Sequence, residues 1–103
     1  MDKTWKALER RVAAFFGTQR TSLSGGNSKQ TRSDTLHPQL FIECKQGKVV
    51  PGYSLFQKTK ALALKEKKIP LVVFHKTNSK DTLVLMRLQD LRQIHHLGDR
   101  VPF

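Results

Sequence analysis

The chain reads as a single α/β (α+β) domain, a central mixed β-sheet flanked by helices in the order α-β-β-β-α-β-β-α. Three observations predict it. Helix-period apolar positions occur near both ends and once in the middle. Short apolar runs of strand length, Leu40–Lys45 and Ile69–His75, are bounded by turn residues and separated by a helical stretch. The length, 103 residues, fits one domain (1–103). A chain of that size buries roughly 60–70% of its unfolded surface, so the core is real but small.

The elements follow in order. Trp5, Leu8, Val12, Phe15 and Phe16 recur at helical spacing, and Gly17 is placed to stop the helix. Residues 18–33 turn polar and basic around Gly25-Gly26, which reads as a mobile basic loop with a short edge strand at Arg20–Leu23. Ser33–Leu36, a His37-Pro38 turn and Leu40–Lys45 read as a β-hairpin. After a second loop at Gly47–Gly52, Ser54–Lys68 reads as a helix with Leu55, Phe56, Thr59, Leu62 and Ala63 inward. Ile69–His75 is a buried strand, residues 78–81 a turn, and Thr82–Leu88 the last strand. Leu88–Leu97 closes the chain as a helix ended by Gly98.

Charge narrows the partners. Nineteen Lys and Arg stand against eight Asp and Glu, a net charge of +11. Residues 1–52 carry nine basic and four acidic side chains, and residues 53–103 carry ten and four, so the excess is spread over the whole domain. A small, uniformly basic domain points to a polyanion, with nucleic acid the usual one. No segment joins a basic face to a deep apolar face, which argues against a membrane surface. The longest apolar run, Leu71–Phe74, is far short of the ~20 residues of a membrane span. One cysteine, Cys44, excludes an internal disulfide framework and a multi-cysteine zinc site, and a reducing cytoplasm is the expected place.

The stretch Leu40-Phe41-Ile42-Glu43-Cys44-Lys45 carries the chemistry. Strand alternation puts Leu40, Ile42 and Cys44 on one face and Phe41, Glu43 and Lys45 on the other. A carboxylate in a largely buried strand needs a partner, or it protonates. Lys45 is one candidate partner and a divalent cation another. If the hairpin loop has four residues, Asp34 lies opposite Glu43, with Cβ atoms ~5 Å apart. A three-residue loop sets Asp34 opposite Ile42 instead. Paired carboxylates suit Mg²⁺, with Mn²⁺ as a substitute.

Asp34, eight residues, then Glu43-Cys44-Lys45 at the end of an apolar strand resembles the PD-(D/E)XK nuclease superfamily, with Ser33 where that pattern carries proline. Glu9 on a preceding helix, Arg20-Thr21-Ser22-Leu23-Ser24-Gly25-Gly26 before the aspartate and Gln57 early in the following helix extend the likeness. The order is similar to archaeal-type and phage Holliday-junction resolvases over about Leu8 to His75. Virus-type replication-repair nucleases are the nearest competitor.

The resemblance implies a restriction-endonuclease-like core and a homodimer cutting four-way or other branched DNA, in a bacterial or phage-infected cytoplasm. It implies Mg²⁺ held by Asp34, Glu43 and the backbone carbonyl of Cys44. Lys45, Glu9 and Gln57 are then catalytic with Asp34 and Glu43. Arg10, Arg11, Arg20, Ser24, Gly25, Gly26, Lys29, Arg32, Lys48, Lys58 and Lys60 are the expected nucleic-acid contacts.

Plainer readings stand beside these roles. Glu43 and Lys45 make a same-face ion pair, Asp34 caps a turn, and Glu9 is a solvated helix residue near Lys6. Ser54 and Gln57 have the spacing of a capping box. Two further functions compete: a flap-, nick-directed or nonspecific repair nuclease, and a nucleic-acid-binding module without catalysis.

Overall fold

The computed structural model describes residues 4–22, 31–94 and 103. Among them run α1 (Thr4–Phe15), β1 (Leu40–Gly47), α2 (Tyr53–Lys65), β2 (Ile69–Lys76), β3 (Thr82–Leu85), a 3₁₀ turn (Leu88–Asp90) and α3 (Leu91–Ile94). They form a small α+β domain in which three helices accompany a three-stranded mixed sheet of order β1-β2-β3.

The apolar spacing of α1 buries Leu8 and Val12. The helix closes at Gly17, whose φ is +70°. The Gly17 N–H donates to the Ala14 carbonyl (3.0 Å) and the Thr18 N–H to that of Ala13 (2.9 Å). This Schellman closure needs a left-handed residue, and glycine adopts that conformation without strain. α2 ends in the same way on Lys67, at φ 57°. Its start departs from the expected one: the helix begins at Tyr53, Gly52 is the N-cap, and no side chain caps it. The Ser54–Gln57 capping box does not form.

β1 and β2 are parallel and joined by α2, so the middle of the chain is a β-α-β unit. The register pairs Ile42 with Leu71 and Cys44 with Val73. Leu40, Ile42, Leu71 and Val73 pack with Leu8 and Val12 of α1 and Ile94 of α3. α2 covers β2 and β1 with Phe56, Thr59 and Ala63 buried. β3 returns antiparallel to β2 and is shorter than Thr82–Leu88. The expected closing helix is a 3₁₀ turn followed by α3, and the rest of Leu88–Leu97 lies outside the described residues.

Two expected strands do not form. Arg20 makes only an isolated antiparallel bridge to Thr35. Ser33–Leu36 makes no ladder with β1, because side chains take over that edge. The Ile42 N–H donates to Ser33 Oγ (2.8 Å), and the Ser33 hydroxyl lies 3.2 Å from the Ile42 carbonyl, to which it donates. The Cys44 N–H donates to Asp34 Oδ2 (2.7 Å). At the strand's start His37 Nδ1 accepts from the N–H groups of Gln39 and Leu40, each at 3.0 Å. The N–H groups of Leu40, Ile42 and Cys44 are thus satisfied without a partner strand. The one backbone bond, from Asp34 N–H to the Ile42 carbonyl (2.8 Å), sets Asp34 against Ile42 rather than Glu43. Burial, then Lys68, holds the His37 pKa below its ordinary value, consistent with a neutral ring accepting at Nδ1.

The loop expected to be mobile at 18–33 is pinned where it is described. Thr21 N–H donates to the Asp34 carbonyl (3.0 Å) and Leu36 N–H to that of Gln19 (2.9 Å). At its other end the Thr31 hydroxyl and the Arg32 N–H both donate to Glu66 beyond α2. Residues 23–30, with Ser24, Gly25, Gly26 and Lys29, lie outside the described residues.

Ser33 is fully buried, so its hydroxyl is testable. Ser33→Ala is expected to cost about 1–3 kcal/mol by stranding the Ile42 N–H. Urea unfolding of the two proteins measures it, and an unchanged midpoint would show that the edge closes without the hydroxyl.

Candidate active site

A cleft of about 340 Å³ opens at the outer edge of β1, lined by Trp5, Glu9, Asp34, Glu43, Cys44, Lys45 and Gln46. Four side chains singled out in the sequence, Glu9, Asp34, Glu43 and Lys45, therefore meet in one place. Each arrives on a different support. Glu43 and Lys45 share a face of β1 through strand alternation. Asp34 is anchored by its bond to the Cys44 N–H. Glu9 comes from α1, which packs against β1.

The electrostatics of the cleft are strained by its carboxylates. Asp34 has its pKa pushed up to about 7, first by burial and next by the charges of Glu43 and Glu9, against the lowering effect of the Cys44 N–H. Glu43 is also raised, first by burial, although Lys45 opposes the shift. Lys45 Nζ lies 3.6 Å from Glu43 Oε1. Burial, followed by the neighbouring carboxylates, pushes the Cys44 thiol up, and its side chain packs against the apolar core.

Glu9 is nine-tenths buried and paired with Arg20, Nε to Oε1 at 2.6 Å. This corrects two expectations. Glu9 is not a solvated helix residue, and Arg20 is not an open phosphate clamp but the counter-ion of Glu9. Gln57 is corrected as well: it is exposed on α2, donates to Tyr53 Oη (3.0 Å) and does not line the cleft.

The remaining basic candidates are spread over the surface. Arg10, Arg32, Lys48 and Lys58 are exposed and Lys60 is half-buried. Arg11 is exposed but donates to the Phe103 carbonyl (3.0 Å), with its guanidinium 4.4 Å from that ring's centroid. Lys48 follows the strand end that carries Lys45.

Sequence reasoning missed two contributors. Trp5 shares the helical apolar spacing of Leu8 and Val12 but is 45% exposed at the cleft rim. Its i, i+4 relation to Glu9 is the signal that places both on one helix face. Ser33 and its role at the strand edge had no signal beyond standing beside Asp34.

Among the described residues no group of three or more His, Cys, Asp or Glu side chains is arranged to hold a metal ion. What the cleft offers is a pair of carboxylates, with the Cys44 carbonyl facing the same edge as its N–H by strand geometry. That all-oxygen set fits a hard cation keeping most of its waters, as Mg²⁺ does, and does not fit a fully caged ion. In comparisons with known proteins, no family model, no curated protein and no solved structure matches this chain. No described helix is long and apolar enough to cross a membrane.

Proposed function

We propose that the chain is a Mg²⁺-dependent endonuclease that hydrolyses phosphodiesters in branched DNA, with the four-way junction as first substrate, built on a restriction-endonuclease-like core. The observation that carries the reading is the meeting of Asp34, Glu43 and Lys45 in one cleft of a domain of net charge +11. A pure binder of polyanions has no use for carboxylates set so close that the charges of Glu43 and Glu9 help raise the pKa of Asp34.

Asp34, Glu43 and the Cys44 carbonyl would hold Mg²⁺, or Mn²⁺ in its place. Once bound, the ion supplies a Lewis acid that acidifies water and offsets charge on the scissile phosphate. The chain's own groups do the rest. The strand holds Glu43 and Lys45 on one face, so the ammonium sits beside the carboxylate and is positioned to meet the phosphate's growing negative charge. The Cys44 N–H keeps the Asp34 carboxylate turned to the cleft. Arg20 neutralises Glu9, so that this third carboxylate repels the phosphate less. Exposed Arg10, Arg32, Lys48 and Lys58 supply sequence-independent backbone attraction.

Paired incision of a junction calls for two active sites, which a two-fold dimer supplies. Leu83, Val84 and Leu85 of the short edge strand β3 are each about half exposed, and an apolar edge of this kind supports homodimer formation through β3. The test is cleavage of labelled four-way junction, 5′ flap, plain duplex and single strand, with and without Mg²⁺. Paired Mg²⁺-dependent cuts confined to the junction are expected. Cutting of flaps or of all duplexes would move the protein to repair-type nucleases. Tight binding without cleavage in Mg²⁺ or Mn²⁺ would overturn the enzymatic reading.

A further inference from the structure

We infer that Trp5 is a stacking platform for an unpaired nucleobase at the rim of the acidic cleft, and so selects DNA with a base out of the duplex stack beside the scissile phosphate. The inference deepens the nuclease reading and rests on it for the identity of the cleft.

Three observations carry it. Trp5 is the only tryptophan, and it is 45% exposed although a large aromatic gains most from burial. It lines the same cleft as Asp34 and Glu43, one helical turn from Glu9, so whatever sits over the indole lies next to the carboxylates. Cations lie over the ring: Lys6 Nζ is 5.4 Å and the Arg20 guanidinium carbon 5.6 Å from its centroid. Arg20 is fixed in turn by buried Glu9, so one of the two cations over the indole is held in place.

A half-exposed indole at a polyanion site takes a base when the Lys6 side chain swings off the ring to meet the phosphate that comes with it. In intact duplex the faces of the bases are covered by their neighbours. Only a branch point, an end, a flap or a single strand presents one. Trp5 therefore gives the cleft a preference that its carboxylates and its dispersed basic residues do not.

The single tryptophan makes this directly measurable, since its fluorescence is excited apart from that of Tyr53. Glu43→Gln protein is titrated with three DNAs: a four-way junction, an oligothymidylate single strand, and a duplex whose two ends are closed by non-nucleotide linkers. Saturable quenching by the first two and little by the closed duplex is expected. Trp5→Ala in the same background is expected to weaken binding of junction and single strand by about tenfold or more, with Trp5→Phe recovering part of it and duplex affinity unchanged.

Equal quenching by all three DNAs, or none, would overturn the inference, and this readout does not depend on a Trp5 variant folding. So would a Trp5→Ala protein with unaltered affinities. The two readings fail separately. Wild-type cleavage without selective quenching removes the stacking role and leaves the nuclease. Selective quenching without cleavage in Mg²⁺ or Mn²⁺ keeps Trp5 as a base reader and removes the nuclease.

Discussion

Glu43→Gln is expected to remove Mg²⁺-dependent cleavage while binding of the same DNA is kept or tightens. The substitution preserves the shape of the β1 strand and deletes one of the two cleft carboxylates, Asp34 and Glu43, assigned to the metal. Changing residues that merely support a metal ligand costs 10–100-fold, so loss of a ligand should lower the rate by at least about a hundredfold. Removing negative charge from a site that meets phosphate lowers repulsion, which is why affinity should not fall. Lys45→Ala is expected to lower the rate with binding weakened at most slightly, because one half-exposed lysine among nineteen basic residues contributes little to the total attraction. Single-turnover cleavage and filter binding on the junction separate the two quantities. Undiminished cleavage by Glu43→Gln would place the chemistry elsewhere.

Asp34→Asn is expected to stabilise the protein near neutral pH when divalent cations are chelated. The Asp34 pKa rises from 3.8 to about 7 on folding, so between those values the folded state holds a proton that the unfolded state has released. Stability from this group is therefore fully present below about pH 4 and is lost as pH rises through 7. Over that window the loss is on the order of 2–4 kcal/mol, a sizeable part of the 5–15 kcal/mol typical of a domain. The variant keeps an oxygen to accept the Cys44 N–H and carries no charge to desolvate. The gap between the two proteins should be small at pH 4 and widest at about pH 8, and Mg²⁺ should narrow it by stabilising the wild type alone. Thermal melts across that range, with chelator and with Mg²⁺, measure both effects. A pH-independent gap would mean that the Asp34 carboxyl is not perturbed by its surroundings.

Much of the framework was legible because it depends on local pattern. The helical spacing of Leu8 and Val12 and the stop at Gly17 are short-range signals, and α1 follows them. The same is true of the apolar strand that became β2 and of the alternation that sets Glu43 and Lys45 on one face of β1. The strand expected at Ser33–Leu36 is absent for a definite reason. Ser33 and Asp34 stand where a hairpin partner is expected, yet their side chains accept and donate the bonds that a partner's backbone would. Periodicity does not distinguish a segment bonding through side chains from one bonding through its backbone. Gln57 was drawn into the site by resemblance and left out of it by the direction of α2, which turns it to solvent and to Tyr53.

What the sequence determined by itself was the charge of the domain, the chemistry of the Asp34, Glu43 and Lys45 side chains, and the strand that carries two of them. Those follow from composition and a period of two residues. The tertiary structure decided which neighbours join them. It brought Glu9 and Trp5 from α1 to the edge of β1, spent Arg20 on Glu9, and closed that edge with Ser33 and Asp34. These are contacts between residues about ten to forty apart in the chain. They are fixed by how a helix lies on a sheet and by the need to satisfy every buried donor, and no local pattern encodes either.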